Sequence, residues 1–388
     1  MVKASMNNNK QRNTFRAGIA TGLLVLVVAI IGLASSCRTQ QAPNSVKVAA
    51  NLPLSGALAV YGKAVQRGAT MAVDELKTSA PGGPTLVFDW QDNTGNPQTT
   101  VSIMQQQYLS PPDIYTSGVR PQTTAIWEQV SAKGTPHFVW IFEMLVNANS
   151  RNNLRTWVNF KVEPQVYLSY VDKRKPKRVA VLYTNIPSYQ DELDKIFLPG
   201  LGQRGITDTL VEKYDFETTD FKPLAIKVRD FKPDLIVLQG FQSHLAGLIR
   251  ALRPYSLITD GNTIGTYDML DAAQVLGPDE MEGLRFAAPL FITRPDRPEI
   301  SNWRSRFTAK YNMQPLYTDA FAYDMAMIIH DAAKRLTLPA TPDQWVTALR
   351  ATDMQGITGP LKFDEDGSLI TPVEMSVFRN GKPVPDSQ

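Results

Sequence analysis

Two long runs of alternating strand and helix patterns occupy most of the chain. The first run covers residues 46–161 and opens on a period-two pattern formed by Val46, Val48, Ala50 and Leu52. From Tyr61 onward the apolar residues recur with the period of a helix. The second run covers residues 178–283 and opens on a buried-strand sequence, Val179–Tyr183. Alternation of this kind predicts parallel sheets covered by helices, so we expect an α/β fold with two doubly wound lobes.

Three further elements follow the second run. The pattern predicts a strand at Leu284–Ala288, a long helix at Thr318–Leu336 and a strand at Val373–Phe378. These elements complicate a simple division into two consecutive lobes.

The front of the chain has the layout of a secretory signal. Twenty uncharged residues, Ala17–Ser36, follow a basic segment and end in small residues. Cys37, the only cysteine, comes next in a setting that resembles the lipobox of bacterial lipoproteins, which implies lipidation of Cys37 and a membrane anchor. We predict a signal peptide at 1–36 and a tether at 37–45. An uncleaved transmembrane anchor is the alternative, and both interpretations place residues 38–388 outside the cytoplasm, in the periplasm or at the cell surface.

Charge and motifs exclude several classes of function. Four of the 40 basic residues and none of the 37 acidic residues lie in residues 1–36, so the remainder of the chain is nearly neutral. A nucleic-acid partner is therefore not predicted. The sequence has no nucleophile elbow, no zincin motif and no Walker loop, and its three histidines are far apart. We predict no enzyme activity, no cofactor and no metal site.

Five segments, taken in order, resemble the leucine/isoleucine/valine-binding branch of the type I periplasmic binding proteins, the solute receptors of ABC importers. The segments are Asn51–Gly56 with Tyr61–Lys63 and Arg67–Ala69; Lys177–Tyr183 with Tyr189; Asp220–Phe221 with Pro233–Asp234; Thr318–Asp324; and Ile357–Asp364. The resemblance spans nearly all of residues 46–380. It implies two lobes joined by three crossings, a small ligand held between them, and a closed form that docks on an ABC permease.

The resemblance also implies a division of the chain. We expect residues 46–161 and 284–365 in the N-terminal lobe. We expect residues 162–283 and 366–388 in the C-terminal lobe and hinge. A monomer is expected.

The resemblance implies candidate ligand-binding residues at individual positions of this sequence. Ser55 and Tyr61 lie where family members line the cleft. Gln122, Thr123 and Thr124 open a predicted helix after Gly118, where hydroxyl and backbone N–H groups suit a carboxylate. Simple helix capping is the alternative for each of these three residues.

Three later positions complete the predicted site. Phe142 is either a cavity wall or core, and Tyr189 matches the pocket tyrosine of the family. His244 takes the place of the glutamate that pairs with the ammonium group of an amino-acid ligand, or else faces solvent. A neutral histidine cannot replace that charge, so a small carboxylate, an aromatic acid or an amide is an alternative to leucine, isoleucine or valine.

These features predict an extracytoplasmic receptor that captures a small polar or carboxylate-bearing solute and delivers it to an ABC permease. The alternative is a ligand-sensing or partner-activating lipoprotein of the same fold with no transport role, since fold alone does not fix function.

Overall fold

The computed structural model describes residues 44–56, 58–141, 151–157 and 161–386. The signal peptide and Cys37 lie outside the described residues, and so does Phe142.

The first sheet is built from the first part of the chain. Its five strands are all parallel and lie in the order β2-β1-β3-β4-β5. The strands are β1 (Ser45–Leu52), β2 (Thr85–Asp92), β3 (Ile114–Gly118), β4 (His137–Trp140) and β5 (Asn153–Arg155). The helices between them are α1 (Ala59–Ser79), α2 (Pro97–Gln107) and α3 (Arg120–Ala132). We call this sheet, with the helices that cover it, the first lobe.

A second set of strands and helices follows β5. The helices are α4 (Glu163–Arg174), α5 (Pro187–Glu192), α6 (Leu198–Gln203), α7 (Lys222–Phe231), α8 (Gln242–Leu252), α9 (Met269–Ala272) and α10 (Pro278–Met281). The strands are β6 (Arg178–Thr184), β7 (Asp208–Tyr214), β8 (Leu235–Gln239), β9 (Thr263–Gly265) and β10 (Arg285–Pro289). A π-helical turn, Leu193–Phe197, joins α5 to α6 just before Pro199, and a 3₁₀ turn, Arg253–Tyr255, follows α8.

The chain then returns to the first lobe. The elements are α11 (Leu290–Thr293), α12 (Pro298–Tyr311), α13 (Tyr317–Lys334), α14 (Pro342–Arg350), β11 (Asp353–Gln355) and β12 (Pro360–Lys362). Their apolar side chains, among them Phe291, Trp303 and Phe321, share one buried cluster with Val46 and Val48 of β1. Long-range packing of this kind defines one hydrophobic core for the first lobe.

The last two strands complete the second sheet. They are β13 (Val373–Arg379) and β14 (Lys382–Pro385), and both pair antiparallel. The seven-stranded order is β14-β13-β10-β9-β8-β6-β7. Apolar clusters cover both faces of this sheet, as a central sheet between helical layers requires. We call this sheet, with its helices, the second lobe.

The α/β fold with two sheet-based lobes is confirmed, with one shift in the path of the chain. The strand expected at Leu284–Ala288 forms as β10, but it pairs with β9 and β13 in the second sheet. The return to the first lobe therefore begins after Pro289 rather than at residue 284. The apolar pattern identifies a buried strand but does not say which sheet receives it.

Two of the sequence motifs make contact across the first lobe. A Cβ atom on Gly68 of α1 would lie 2.0 Å from the backbone oxygen of Asp319 in α13, so a side chain at that position would force the helices apart. Beside it, Arg67 donates to both carboxylate oxygens of Asp319, at 2.9 and 3.1 Å. Glycine is thus needed for close helix approach, and the neighbouring ion pair fixes the register.

Among the described residues, no helix is both long enough and apolar enough to cross a membrane.

Candidate functional site

The two lobes touch through a group of aromatic side chains. Trp140 at the end of β4 packs edge-on against Trp157, with 5.7 Å between ring centroids, and Trp157 packs against Tyr317 at 5.3 Å. Tyr317 meets Tyr267 of the second lobe at 5.6 Å. The indole N–H of Trp157 also donates to the Tyr267 hydroxyl, at 3.4 Å. These four residues form the aromatic contact between the lobes.

The loop after β1 is held by one carboxylate. Asp92 Oδ1, at the end of β2, accepts from the backbone N–H groups of Leu54 (2.8 Å), Ser55 (3.2 Å) and Thr94 (2.8 Å). Burial acts to raise the pKa of Asp92, but a hydrogen bond from the Ser55 side chain and these backbone bonds together lower it. Ser55 is exposed on this loop, and Tyr61 lies in the first turn of α1 with 39% of its surface accessible. Both residues therefore lie at the edge of the first lobe, and their contact with a ligand stays a prediction.

The start of α3 lies beside the aromatic contact, and its side chains already have partners. Gln122 donates to the Gly95 carbonyl oxygen, and the Thr123 hydroxyl is bonded to Ser117 at 2.9 Å. Thr123 is fully buried, whereas Thr124 is exposed. The hydroxyl of Thr123 is therefore part of the packing of the first lobe.

Ser117 also bonds to a histidine. Its hydroxyl lies 2.8 Å from His137 Nε2, and burial lowers the pKa of His137 to about 3. Both side chains are fully buried, and among the described residues nothing pairs with His137 Nδ1. A serine–histidine pair that cannot reach solvent and lacks an orienting acid does not have the geometry of a hydrolase.

The second lobe presents four carboxyl groups near the aromatic contact, which we call the acidic wall: Glu163, Glu192, Asp268 and Asp271. Asp268, 7% exposed, accepts from the hydroxyls of Thr266 (3.2 Å) and Tyr189 (3.3 Å). Glu163 accepts from the Tyr267 N–H at 3.1 Å. Glu192 accepts from the Gln239 side-chain amide at 2.7 Å.

Burial of the acidic wall raises the pKa of every one of its members. The pKa of Asp268 rises to about 7, through burial and the charge of Asp271. The pKa values of Glu163 and Asp271 also rise, chiefly through burial. For Glu192 the causes are burial and the charge of Glu163. These shifts follow because the carboxylates are desolvated beside one another rather than beside a base.

The acidic wall faces the first lobe. Burial raises the pKa of Tyr61, in α1, to about 12, and the charges of Asp271 and Asp268 add to the shift. The pKa of Tyr317, in α13, is also raised, first by burial and then by the charges of Asp271 and Asp268. Since these tyrosines belong to the first lobe, the acids act on them across the space between the lobes.

The pH dependence of stability should report the acidic wall. A carboxyl whose pKa is raised by folding binds more protons when folded than when unfolded, so stability falls as pH rises from about 4 to about 7. We expect Asp268→Asn to raise the free energy of unfolding by about 1–3 kcal/mol near pH 8 and to change it little near pH 4. Urea unfolding at both pH values is the measurement. The matched control is Asp343→Asn, at a side chain 92% exposed, which should leave the free energy of unfolding unchanged at both pH values. Equal effects of the two variants would contradict the prediction.

A small cavity adjoins the acidic wall. Its volume is about 10 Å³, the room of about one water molecule. Its lining includes Glu163, Tyr189, Phe241, Tyr267 and Asp268. A solute of amino-acid size does not fit in this cavity of the second lobe as it stands.

The remaining predicted residues divide between this region and its surroundings. Tyr189 lies in the acidic region, buried and bonded to Asp268. His244 packs against Phe216 and Phe241, with ring centroids at 5.1 and 6.0 Å, and its Nε2–H donates to the Phe216 carbonyl oxygen at 2.8 Å. His244 is thus a buried structural residue of the second lobe in this conformation. It does not face solvent.

The family relationship follows from a comparison of the whole chain. The family model described as periplasmic binding protein matches residues 45–382. The chain belongs to the periplasmic binding protein family. The predicted resemblance to the periplasmic binding proteins is thereby confirmed.

Relatives by sequence carry names from the leucine/isoleucine/valine-binding branch. The Leu/Ile/Val-binding protein BraC3 of Rhizobium johnstonii is 28% identical over 55% of this chain and 59% of the relative. The Leu/Ile/Val-binding protein homolog 8 of Brucella suis is 22% identical over 85% of this chain and 86% of the relative.

Solved structures show the same fold with different ligands. The leucine binding protein LivK of Thermotoga maritima has a TM-score of 0.73 at 19% identity and covers 88% of this chain and 98% of its own. A solute binding protein of Rhodopseudomonas palustris in complex with 3,4-dihydroxybenzoic acid has a TM-score of 0.74 at 18% identity. It covers 88% of this chain and 95% of its own. Such identities show the fold of this periplasmic binding protein and leave its ligand open.

The sequence did not reveal the acidic wall of this periplasmic binding protein. Asp268 follows β9, a strand of three residues, Thr263–Gly265, which has no apolar run to mark it. Ligands of parallel sheets lie beyond the carboxyl ends of strands, so recognition of β9 would have marked Thr266–Asp268. Among the described residues, no group of three or more His, Cys, Asp or Glu side chains could hold a metal ion.

Proposed function

We propose that the protein is an extracytoplasmic solute receptor that captures a small solute with a protonated nitrogen, an amino acid or an amine, and delivers it to an ABC permease. The observation that carries the solute class is the acidic wall, where Asp268 and Asp271 face Tyr61 and Tyr317 across the lobes. Buried carboxylates without a basic partner favour a cation that enters with its own charge.

The geometry changes the balance between the solute classes considered from sequence. His244 offers no ammonium partner, but Asp268 and Asp271 supply carboxylates for that role. An aromatic acid without an amine has no positive charge to pair with Asp268, and it would be repelled wherever Asp268 is ionised. The aromatic contact suits the apolar part of the solute and adds attraction for a cation over a ring face.

A carboxylate on the solute would find the start of α3. Helix N-termini carry unpaired backbone N–H groups and a partial positive charge. This end of α3 follows β3 and lies at the same edge of the sheet as Trp140. An amino acid bound between the lobes would then have its carboxylate at the first lobe and its ammonium group at the second.

A panel of five compounds tests the proposal. Thermal unfolding is measured with L-leucine, L-lysine, 1,4-diaminobutane, benzoate and acetamide. A compound present at about 100 times its dissociation constant adds about 2.7 kcal/mol of stability. We expect at least one of the three amines to raise the melting temperature and the other two compounds to leave it unchanged.

Each other outcome contradicts a stated part of the proposal. A shift with benzoate or acetamide alone would overturn the cationic solute class. No shift with any compound would overturn solute capture and favour the partner-activating alternative. For a compound that binds, we expect Asp268→Asn to weaken binding at least about tenfold and Asp343→Asn to leave it unchanged, as measured by calorimetry.

Transport, a location outside the cytoplasm and lipidation of Cys37 are parts of the same proposal. The family match and the names of the relatives support the role in transport. Cys37 lies outside the described residues, and its lipidation stays a prediction.

A further inference from the structure

Within the part of the chain that the structure describes, no ion pair joins a member of the acidic wall to a basic side chain. The groups that act most strongly on Asp268, Glu163 and Glu192 are other acids and hydrogen-bond donors without charge. The internal segments that the structure does not describe, residues 57, 142–150 and 158–160, contain no Lys, Arg or His. A carboxyl group of the acidic wall that is neutral is therefore neutralised by a bound proton and not by a basic side chain.

Helix α8 packs beside α9 and carries His244, whose Nε2–H donates to the Phe216 carbonyl oxygen and to no member of the wall. The described groups whose pKa values respond to Asp268, or that act on it, are acids and tyrosines. They come from α1, α4, α5, β7, α9, α13 and the segment after β9. The groups are Tyr61, Glu163, Tyr167, Tyr189, Tyr214, Tyr267, Asp271 and Tyr317. None of these groups is positively charged at neutral pH.

Hydrogen bonds do not replace the missing positive charge. Glu192 is fully buried, and its Oε2 has no partner among the described residues. The Oε1 atom of Gln239 and the hydroxyl of Tyr167 are buried without a partner in the same part of the structure. Asp92 gives the contrast, because three backbone N–H groups satisfy its carboxylate and its pKa falls. Glu192 thus has no charged donor beside it among the described residues, as expected of a carboxyl group that carries a proton.

We propose that solute capture is an exchange of cation for proton: as a protonated nitrogen enters between the lobes, the carboxyl group of Asp268 releases its proton to solvent. The inference rests on the proposed function and adds to it a control by pH. The step balances, because the O–H bond of the carboxyl breaks, the proton goes to water or buffer, and the solute cation replaces the lost charge. Glu163 and Glu192 stay protonated behind Asp268, because burial raises the pKa values of both.

The exchange sets the direction of the pH dependence. Where Asp268 is protonated in the free protein and ionised in the complex, each capture releases one proton, so affinity rises about tenfold per pH unit. The pKa of Asp268 in the free protein is about 7, so the rise should level off above that pH. Capture is therefore tight in neutral surroundings, and acidification releases the solute.

Calorimetric titration in two buffers measures the exchange directly. Wild-type protein is titrated with L-leucine, L-lysine and 1,4-diaminobutane near pH 6 in phosphate and in HEPES, which lack a primary amine and differ in heat of ionisation. We expect the heat per binding event to differ between the buffers by the ionisation heat of about one proton. The dissociation constant should be about tenfold lower near pH 6 than near pH 5. By pH 8 it should no longer depend on pH.

Variants separate Asp268 from the rest of the wall. Asp268→Asn should bind more weakly with equal heats in the two buffers, and its affinity should not depend on pH over this range. Asp343→Asn, the exposed control, should keep the proton release of the wild type.

The outcomes distinguish the two proposals. Binding with equal heats in both buffers by the wild-type protein would overturn proton exchange and leave the receptor function standing. Proton release that persists in Asp268→Asn would overturn the assignment to Asp268. No binding by any amine would overturn the proposed function and the exchange together.

Discussion

Arg285→Ala is expected to lower the free energy of unfolding by about 3–5 kcal/mol. The side chain of Arg285 is 1% exposed and pairs with Asp386, 2% exposed, at 2.8 Å. It also bonds to Asp260 at 2.6 Å and to the Gly283 carbonyl oxygen at 3.1 Å. Alanine would leave the Asp386 carboxylate buried without a partner, and an unpaired buried charge costs far more than the pair contributes.

Two comparison variants make this result specific. Arg294→Ala removes an exposed arginine that pairs with Glu374 at 2.7 Å, and it should cost at most about 1 kcal/mol. Joint replacement by Arg285→Met and Asp386→Leu removes both buried charges and should recover most of the loss. Urea unfolding gives the free energies. A loss below about 1 kcal/mol for Arg285→Ala would show that Asp386 finds another partner or solvent.

Asp324→Ala is expected to cost about 2–4 kcal/mol. The carboxylate of Asp324, 1% exposed, accepts from the Ile357 N–H at 2.9 Å. It also accepts from the N–H and the hydroxyl of Thr358, at 2.8 and 2.7 Å. Alanine would leave three donors unsatisfied in or near the core of the first lobe, and unmade buried bonds are costly.

The control for Asp324 lies two turns along the same helix. Asp331→Ala removes a carboxylate that is 25% exposed and pairs with Lys334 at 3.3 Å, so its cost should stay below about 1 kcal/mol. Asp324→Asn keeps one acceptor oxygen and should cost less than alanine. If Asp324→Ala and Asp331→Ala lowered stability equally in thermal unfolding, the three bonds of Asp324 would be of little consequence.

Residues from different matching segments of the sequence come into contact in the folded protein. Arg67-Gly68 and Asp319 are far apart in the chain and belong to different matching segments, yet they meet between α1 and α13. Asp324 and Ile357-Thr358 meet in the same way. The resemblance identified these segments, whereas the reason for each residue type, a close helix contact or a buried acceptor, depends on the assembled fold.

The candidate site was harder to predict than the fold. The apolar pattern predicted alternating strands and helices over residues 178–283, but it did not say which face of each helix meets the cleft. His244 packs into the second lobe, and Phe241 lines the small cavity. The acidic wall draws its members from α4, α5 and the segment around α9, so no local pattern brings its carboxyl groups together.

The second lobe depends on the last part of the chain. Strands β13 and β14 complete its sheet beside β10, and Arg285 is paired with Asp386. A ribosome makes the chain from the amino end, so β10 has an open edge until β13 has been made. An unpaired strand edge invites association with other chains, and incomplete nascent chains are exposed to that hazard. Release of a prematurely terminated chain should therefore lead to aggregation, even when all residues of the acidic wall are present.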